Sequence, residues 1–348
     1  MSDKKATIVY MADDDRPKGG FCDRMRAIIW LYSFCKKHGF DFKINFTHPF
    51  KLQEYLKPNS YNWIYNEKEY IECNSIKIAD FLSLSPFKKY YDADTLYCED
   101  LTTEELETIL LKHAQSYAQI LVYSYRRVDE ILPDYGKLFD ELFCFSTELN
   151  ETLQFHINQM NHSYVGVHFR FQRLLNDIAS EVSFGSFVHP VLSINEQKKL
   201  CVACVRVIKE IHKENHNHRV LVCSDSTNFM KFIKGFNYDY VYLVEGERKH
   251  LEVKGIDKEH ILLLLLDYFL LAFAKKNYSV IKRNMYQSTF LFFASLHKKI
   301  EFVVLDYRIP VLRRIVSKVK KIIMKIPVLR GIVCNVKKII IKTPLQYK

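Results

Sequence analysis

The chain has 348 residues, 48% hydrophobic and 26% charged, which excludes a disordered protein and leaves room for two domains with substantial cores. Its net charge of +11 invites a nucleic-acid groove, but residues 307–348 hold 12 Lys and Arg and no acid, leaving 39 basic against 40 acidic residues before them. The body is therefore nearly neutral and nucleic acid is not implied as a partner, while nine scattered Cys behind the polar start Met-Ser-Asp-Lys-Lys point to a reducing cytoplasm.

Strand-like and helical segments alternate along the body. Ala6 to Tyr10 reads as a strand, Cys22 to His38 as a helix and Asp41 to Phe46 as a second strand, with less regular chain around Tyr55 to Trp63. Thr102 and Glu105 are spaced as a capping box for a helix reaching His113, and Gln119 to Tyr123 is again strand-like. A polar helix over Glu148 to Gln159 leads into a strand at Tyr164. Then come a helix from Ser193, boxed by Glu196, to about Lys213, and strands at Arg219 to Cys223 and Tyr240 to Val244. The apolar run Ile261 to Ala274, interrupted by Asp267, is too short to span a bilayer and reads as a buried helix. A strand Tyr278 to Lys282, a helix Ser288 to His297 and a strand Glu301 to Leu305 complete the body. Such alternation predicts parallel sheets covered by helices, and the length fits two of them divided near residue 155.

Several polar features are assigned to structure. Cys201-x-x-Cys204 lacks a second pair and sits among apolar helical residues, so it reads as core. The His212, His216 and His218 cluster precedes a strand and reads as a solvated turn.

Four segments carry possible chemistry. Tyr164-Val-Gly-Val-His-Phe-Arg170 places His168 and Arg170 two residues apart, on one face where a strand meets its loop. A planar guanidinium there suits a phosphate or carboxylate. In Met11 to Arg26, Gly19 and Gly20 allow close ligand approach before a helix whose first turn holds Asp23, Arg24 and Arg26. Val220 to Ser226 ends in Ser224, Asp225 and Ser226. Asp225 there either pairs with ribose or a base edge, or it caps the next helix, as Ser226 also can. Lys282 to Leu296 supplies Ser288 at a buried helix start, a phosphate seat or a plain N-cap. In a parallel sheet the three strand ends carrying His168 and Arg170, Asp225, and Ser288 share one edge.

This set resembles the α1,2-, α1,6- and protein O-fucosyltransferase superfamily, in its bacterial, family-11-like branch, through Gly-Gly-Phe-Cys-Asp-Arg-Met-Arg, Val-Gly-Val-His-Phe-Arg, Val-Cys-Ser-Asp-Ser and Gln-Ser-Thr-Phe. They occur in the family's order over about residues 6 to 305. The resemblance implies an α/β, GT-B-like fold of two facing Rossmann-like domains with parallel sheets: 1–155 on the acceptor side and 156–306 binding the GDP-sugar. It implies inverting transfer from GDP-fucose, with no cofactor or metal required. Arg170 would hold the diphosphate, His168 lie beside the nucleotide, Asp225 read guanine and Ser288 contact phosphate, with Gly19, Gly20, Arg24 and Ser226 around the donor. The family's H-x-R-R-x-D would place Arg at 171 and Asp at 173, where this chain carries Phe171 and Arg173. Asp23 ranks first as general base, then Asp177 and Glu181. Metal-dependent transferases instead use an Asp-x-Asp pair, and Asp92-Ala-Asp94 or Asp13 and Asp15 fit that pattern.

The tail repeats itself. Ile309 to Lys325 and Ile326 to Lys342 match at 13 of 17 positions. In helical projection Val311, Leu312, Ile315, Val316, Val319, Ile322 and Ile323 fall opposite Arg313, Arg314, Lys318, Lys320, Lys321 and Lys325, with Pro310 and Pro327 at helix starts. A basic amphipathic helical tail over 307–348 suits an anionic membrane surface, on the inner face of the plasma membrane. A lipid-linked glycan acceptor would account for it. A membrane-tethered glycan-binding scaffold on a degenerate transferase fold is the non-enzymatic alternative.

Overall fold

The computed structural model describes residues 5–14, 19–66, 68, 74–81, 94–99, 101–124, 132–177, 191–251 and 256–308. The expectations for Asp15, Asp92, Glu181 and the repeats beyond Arg308 lie outside these residues.

The first sheet contains β1 (Thr7–Ala12), β2 (Asp41–Phe46), β4 (Ser75–Phe81), β5 (Thr95–Glu99) and β6 (Gln119–Ser124), all parallel, in the order β2-β1-β6-β4-β5. Strands β3 (Leu56–Pro58) and β7 (Phe143–Phe145) form a separate antiparallel pair. The second sheet orders β8 (Tyr164–Phe169), β9 (Arg219–Ser224), β10 (Val241–Tyr242), β11 (Lys276–Ile281) and β12 (Glu301–Asp306) as β10-β9-β8-β11-β12, again all parallel. Both β1 and β8 are buried along their whole length, as strands covered on two faces must be. In the second sheet the chain runs outward from β8 in one direction, then returns to its other side through β11. The crevice beyond the carboxyl ends of β8 and β11 is therefore the switch point where such sheets bind ligands.

Helix α1 (Phe21–His38) follows β1, and α2 (Thr103–Ala114) precedes β6 with the expected Thr102–Glu105 box formed. Next come α3 (Tyr135–Leu142), α4 (Thr147–Gln159), and α5 (Ile194–Glu214), which begins with the Ser193–Glu196 box. The last three are α6 (Thr227–Lys234), α7 (Lys258–Ala272) and α8 (Thr289–His297). Helix α5 covers one face of the second sheet, burying Cys201 and Cys204 as core, and burial pushes the Cys201 thiol up to about 11. His212 is helical, stacked on Tyr240 with ring centroids 3.8 Å apart, while 216–218 make the turn.

The opposite face of the second sheet packs through α7 and α8 onto α1 and α3, forming one continuous core. Aromatic side chains bridge it: Phe21 meets Tyr268 at 5.2 Å and Tyr135 meets Phe293 at 5.3 Å. Buried polar groups are matched across the same seam, with the Tyr135 and Tyr268 hydroxyls 3.2 Å apart and His297 Nε2 3.0 Å from Asp140 Oδ1. The closest approach is at Gly136 on α3, where a Cβ would lie 2.0 Å from the His297 carbonyl oxygen. Backbone cannot yield to that degree, so Gly136→Ala is expected to destabilise the protein by about 3 kcal/mol, the upper part of the range for overpacking. A urea transition unmoved by this substitution would contradict the packing described.

Two differences from expectation have simple causes. The strand expected over Tyr240 to Val244 shrinks to Val241–Tyr242, because it is an edge strand paired only with β9. Strands β4 and β5 are further elements of the first sheet, and helices α3 and α6 have only eight residues each, two turns that a periodicity window does not separate from an apolar loop.

Candidate functional site

Arg170 leaves the end of β8 at the switch point and pairs with Asp225 at the end of the neighbouring β9, guanidinium nitrogen to Oδ2 3.1 Å. Asp225 also turns the loop after β8. Its Oδ1 accepts from the Phe171 amide at 2.8 Å and its Oδ2 from the Gln172 amide at 2.7 Å, where Gln172 has φ 53°. The Asp225 carboxylate thus fixes both the backbone that carries Arg170 and the guanidinium itself.

His168 points to the opposite face of β8 from the side chains of Val167 and Phe169. It is buried and stacks on Phe290, centroids 5.5 Å apart, with its Nδ1 meeting no partner. Burial, with Arg170 adding to it, drops its pKa from 6.5 to about 3. The ring is therefore neutral at physiological pH. Because the folded value lies below the unfolded one, this contribution is fully present above pH 6.5 and is lost as pH falls towards 3, by about 1.4 kcal/mol per unit. Relative to His168→Gln, the native protein should lose about 3 kcal/mol more stability between pH 6.5 and 4. Equal pH slopes in urea unfolding would contradict this placement.

Phe290 is the second residue of α8, whose N-cap is Ser288; the buried Ser288 hydroxyl accepts from the Phe290 amide at 3.1 Å. Its carbonyl oxygen lies 3.9 Å from Cys22 Sγ, near the start of α1. Two helix N-termini from opposite halves of the chain therefore converge beside His168. Helix starts present free amides and positive potential, suited to an anion.

The start of α1 is tightly built. Gly19 has φ 75°, and a Cβ there would lie 2.9 Å from Asp23 Oδ2, so glycine is required on two counts. Asp23 Oδ2 accepts from the Gly20 amide at 3.0 Å, and its Oδ1 pairs with Arg26. Buried Arg24 donates to the carbonyls of Gly19 at 3.1 Å and His48 at 2.9 Å, tying this turn to the end of β2.

Other expected residues serve structure. Ser226 is fully buried, accepts from the Phe229 amide at 3.0 Å as N-cap of α6, and donates to Asp177 Oδ2 at 2.6 Å. Asp177 Oδ2 also accepts from the Asn228 amide at 2.7 Å. Of the readings open for Val220 to Ser226, Ser226 takes the capping one, and Asp177 is committed to the same helix start. Among the described residues no cluster of three His, Cys, Asp or Glu is arranged to hold a metal.

His250 is the residue sequence reasoning missed. Its Nε2 is 3.8 Å from where a Cβ on Gly20 would sit, so it faces the α1 turn across some 230 positions of sequence. Its loop is fixed by Arg248, which donates to the carbonyls of Val244 and Gly246 and lies 3.5 Å from buried Asp267. Burial raises the Asp267 pKa, with Arg248 opposing. The acid that interrupts the apolar run of α7 thus partners a long-range arginine. A basic Arg-Lys-His run after a strand end was the available signal.

Two parallel Rossmann-like sheets whose helix starts converge at the switch point define a GT-B-like fold. No protein-family model and no curated protein matches the sequence. Among solved structures the chain is similar to NodZ α-1,6-fucosyltransferase soaked with GDP-fucose, with 12% identity over 88% of this chain and 96% of that one and a TM-score of 0.51. It is similar to the fucosyltransferase NodZ from Bradyrhizobium at 14% identity, over 87% and 96% of the two chains, with a TM-score of 0.51. POFUT1 in its apo form gives 13%, 88% and 99%, with a TM-score of 0.50. The likeness is one of fold.

Proposed function

We propose that this chain is an inverting fucosyltransferase, moving L-fucose from GDP-fucose to a hydroxyl of a cell-surface glycan precursor. The observation that carries the reading is Arg170, held by Asp225 at the switch point of the second sheet, two residues past His168, beside which the α1 and α8 N-termini converge. The solved NodZ structures with GDP-fucose and with GDP support it as a fold precedent.

In this reading 156–306 holds the donor and 1–155 the acceptor. Arg170 and the α8 start at Ser288 carry the diphosphate, and neutral His168 lies beside it without adding charge. Asp225, whose oxygens already take two amides and Arg170, acts by positioning Arg170. Gly19, Gly20 and Arg24 close the site from the other half, with His250 beside them. The acceptor oxygen bonds to the anomeric carbon as the bond to the diphosphate oxygen breaks; the hydroxyl proton passes to a carboxylate and GDP leaves. Asp23 is the foremost base, since it sits on the facing half with its side chain 32% exposed. No metal or cofactor takes part.

Residues 307–348 rest on the anionic inner face of the plasma membrane and bring the enzyme to a lipid-linked acceptor. No helix among the described residues is long and apolar enough to cross a membrane. Deleting the tail should release the protein from the membrane fraction; unchanged fractionation would contradict the assignment.

One observation favours a second reading. Phe171, where the family motif carries Arg, is buried against Phe169 and Phe229, so that position offers no charge to a donor. A non-catalytic glycan-binding scaffold would share this feature. Calorimetric titration with GDP, GDP-fucose, GDP-mannose and UDP-sugars, with and without Mg²⁺, tests the donor assignment. Metal-independent GDP-fucose binding is expected, whereas metal-requiring UDP-sugar binding, or no binding, would contradict it.

A further inference from the structure

Helix α5 lies on the outer face of the second sheet, on the side away from α7, α8 and the first half of the chain. Its buried residues Leu200, Cys201, Cys204, Val205, Ile208 and Ile211 face the sheet. The opposite face is cationic: Lys198, Lys199, Arg206, Lys209 and Lys213 are all exposed and fall within roughly 60° of one line along the helix. An open depression of about 520 Å³ runs along it, lined among the described residues by Asn195, Lys198, Lys199, Val202 and Arg206. Three acids border this stripe of five cations and offset it only in part, Glu196 acting on Lys199. Glu196 closes the Ser193 capping box, Glu210 accepts from the Tyr307 hydroxyl at 3.2 Å, and Glu214 lies roughly 100° round the helix.

Two further features give the stripe a direction. At its amino end Ile194 is 82% exposed, an apolar side chain beside a row of cations. The bond from Tyr307 to Glu210, with Lys282 Nζ 4.0 Å from the Tyr307 ring centroid, also sets the root of the basic tail directly against α5. The cationic face of α5 and the root of the most basic segment of the sequence thus lie side by side.

We propose that the outer face of α5 is itself a lipid-binding surface, pairing with an anionic bilayer alongside 307–348. Long cationic side chains beside the exposed Ile194 match a layer of anionic headgroups over acyl chains. Helix α5 runs back from the carboxyl ends of the strands, so Ile194, Lys198 and Lys199 lie at the same end of the sheet as Arg170. Seating this face on the bilayer brings the mouth of the site to the lipid surface, within reach of an acceptor anchored there. The inference rests on the membrane reading of the tail and not on the identity of the donor.

The test uses the full chain and vesicles of phosphatidylcholine with 30% phosphatidylserine at 0.1 M salt. The variant K198Q/K199Q/R206Q removes three cations from α5. A control, K51Q/K57Q/K137Q, removes three exposed cations from the first half. At about 1 kcal/mol, roughly fivefold in affinity, for each cation near an anionic surface, the α5 variant should partition about 100-fold more weakly. The control should stay within about twofold of wild type, and binding to pure phosphatidylcholine should be weak for all three. Equal partitioning of the two variants overturns the proposal, as does an α5-dependent affinity for single-stranded RNA exceeding that for the vesicles. A urea midpoint of the α5 variant equal to that of wild type confirms its fold independently of the donor reading.

Discussion

Replacing Arg170 with Ala is expected to lower fucose transfer by about 10³-fold and to remove measurable donor binding, the largest single effect on activity anywhere in the chain. A preorganised donor aimed at developing charge in a water-poor site contributes 10²- to 10³-fold, and Arg170 contributes a full charge as well. Its side chain is only 19% exposed and is already held at 3.1 Å by Asp225, so little ordering remains to be done when a diphosphate arrives. Lys at this position keeps the charge but loses the planar fork, and Arg170→Lys should recover no more than about a tenth of the lost activity. Initial rates of transfer with saturating acceptor, together with calorimetric titration of GDP, measure both effects. An Arg170→Ala protein with native rates would place the diphosphate elsewhere.

Asp225→Ala should carry the largest cost in stability, because one carboxylate serves three donors. Its loss leaves the Phe171 and Gln172 amides and the Arg170 guanidinium without the acceptor that joins them. Removing one member of a largely buried ion pair typically costs about 3–5 kcal/mol. Asp225→Asn keeps one oxygen but turns an amino group towards a second donor, so it should cost about 2 kcal/mol. Arg170→Ala leaves Asp225 with its two amide donors and should cost less, about 1–3 kcal/mol, while binding no donor, whereas Asp225→Ala loses more stability and donor binding as well. Urea unfolding alongside GDP titration separates these outcomes. An Asp225→Ala protein of native stability would mean that the loop after β8 is held by something else.

The contrast between these residues shows what was legible in the sequence. Arg170 was visible because a β-prone run ends in it, and a strand's period of two fixes which side chains accompany it. β1 and β8 were visible for the same reason, as continuous apolar runs. The capping boxes at Thr102 and Ser193 formed as their spacing implied, since a cap is decided within four residues. The role of Asp225 was not legible: its partners lie 53 and 54 positions earlier and become neighbours only when β8 pairs with β9. His250 facing Gly20, and Asp267 facing Arg248, are invisible for the same reason. Ser226 and Ser288 were read as open between ligand and cap, and both hydroxyls accept the amides that a helix start leaves free. The eight-residue α3 is not legible, although Tyr135, Leu138, Phe139 and Leu142 have helical spacing, because two turns cannot be told from an apolar loop without the surface they pack on.

The fold explains why these long-range partners matter. A single core runs from α1 and α3 through α7 and α8, so the turn at Gly19 and the start at Ser288 belong to one packed unit. The convergence of two helix starts on His168 is thereby built in before any ligand binds.

The most direct test of the central claim is release of GDP from GDP-fucose in the presence of EDTA, followed over time for the full chain and for Arg170→Ala. Slow hydrolysis by the wild type without added metal, accelerated by a competent glycan acceptor and abolished by Arg170→Ala, is the predicted result. No release above the uncatalysed background, or release that Arg170→Ala leaves unchanged, would contradict assignment of a fucosyl-transfer site to the β8/β11 switch point.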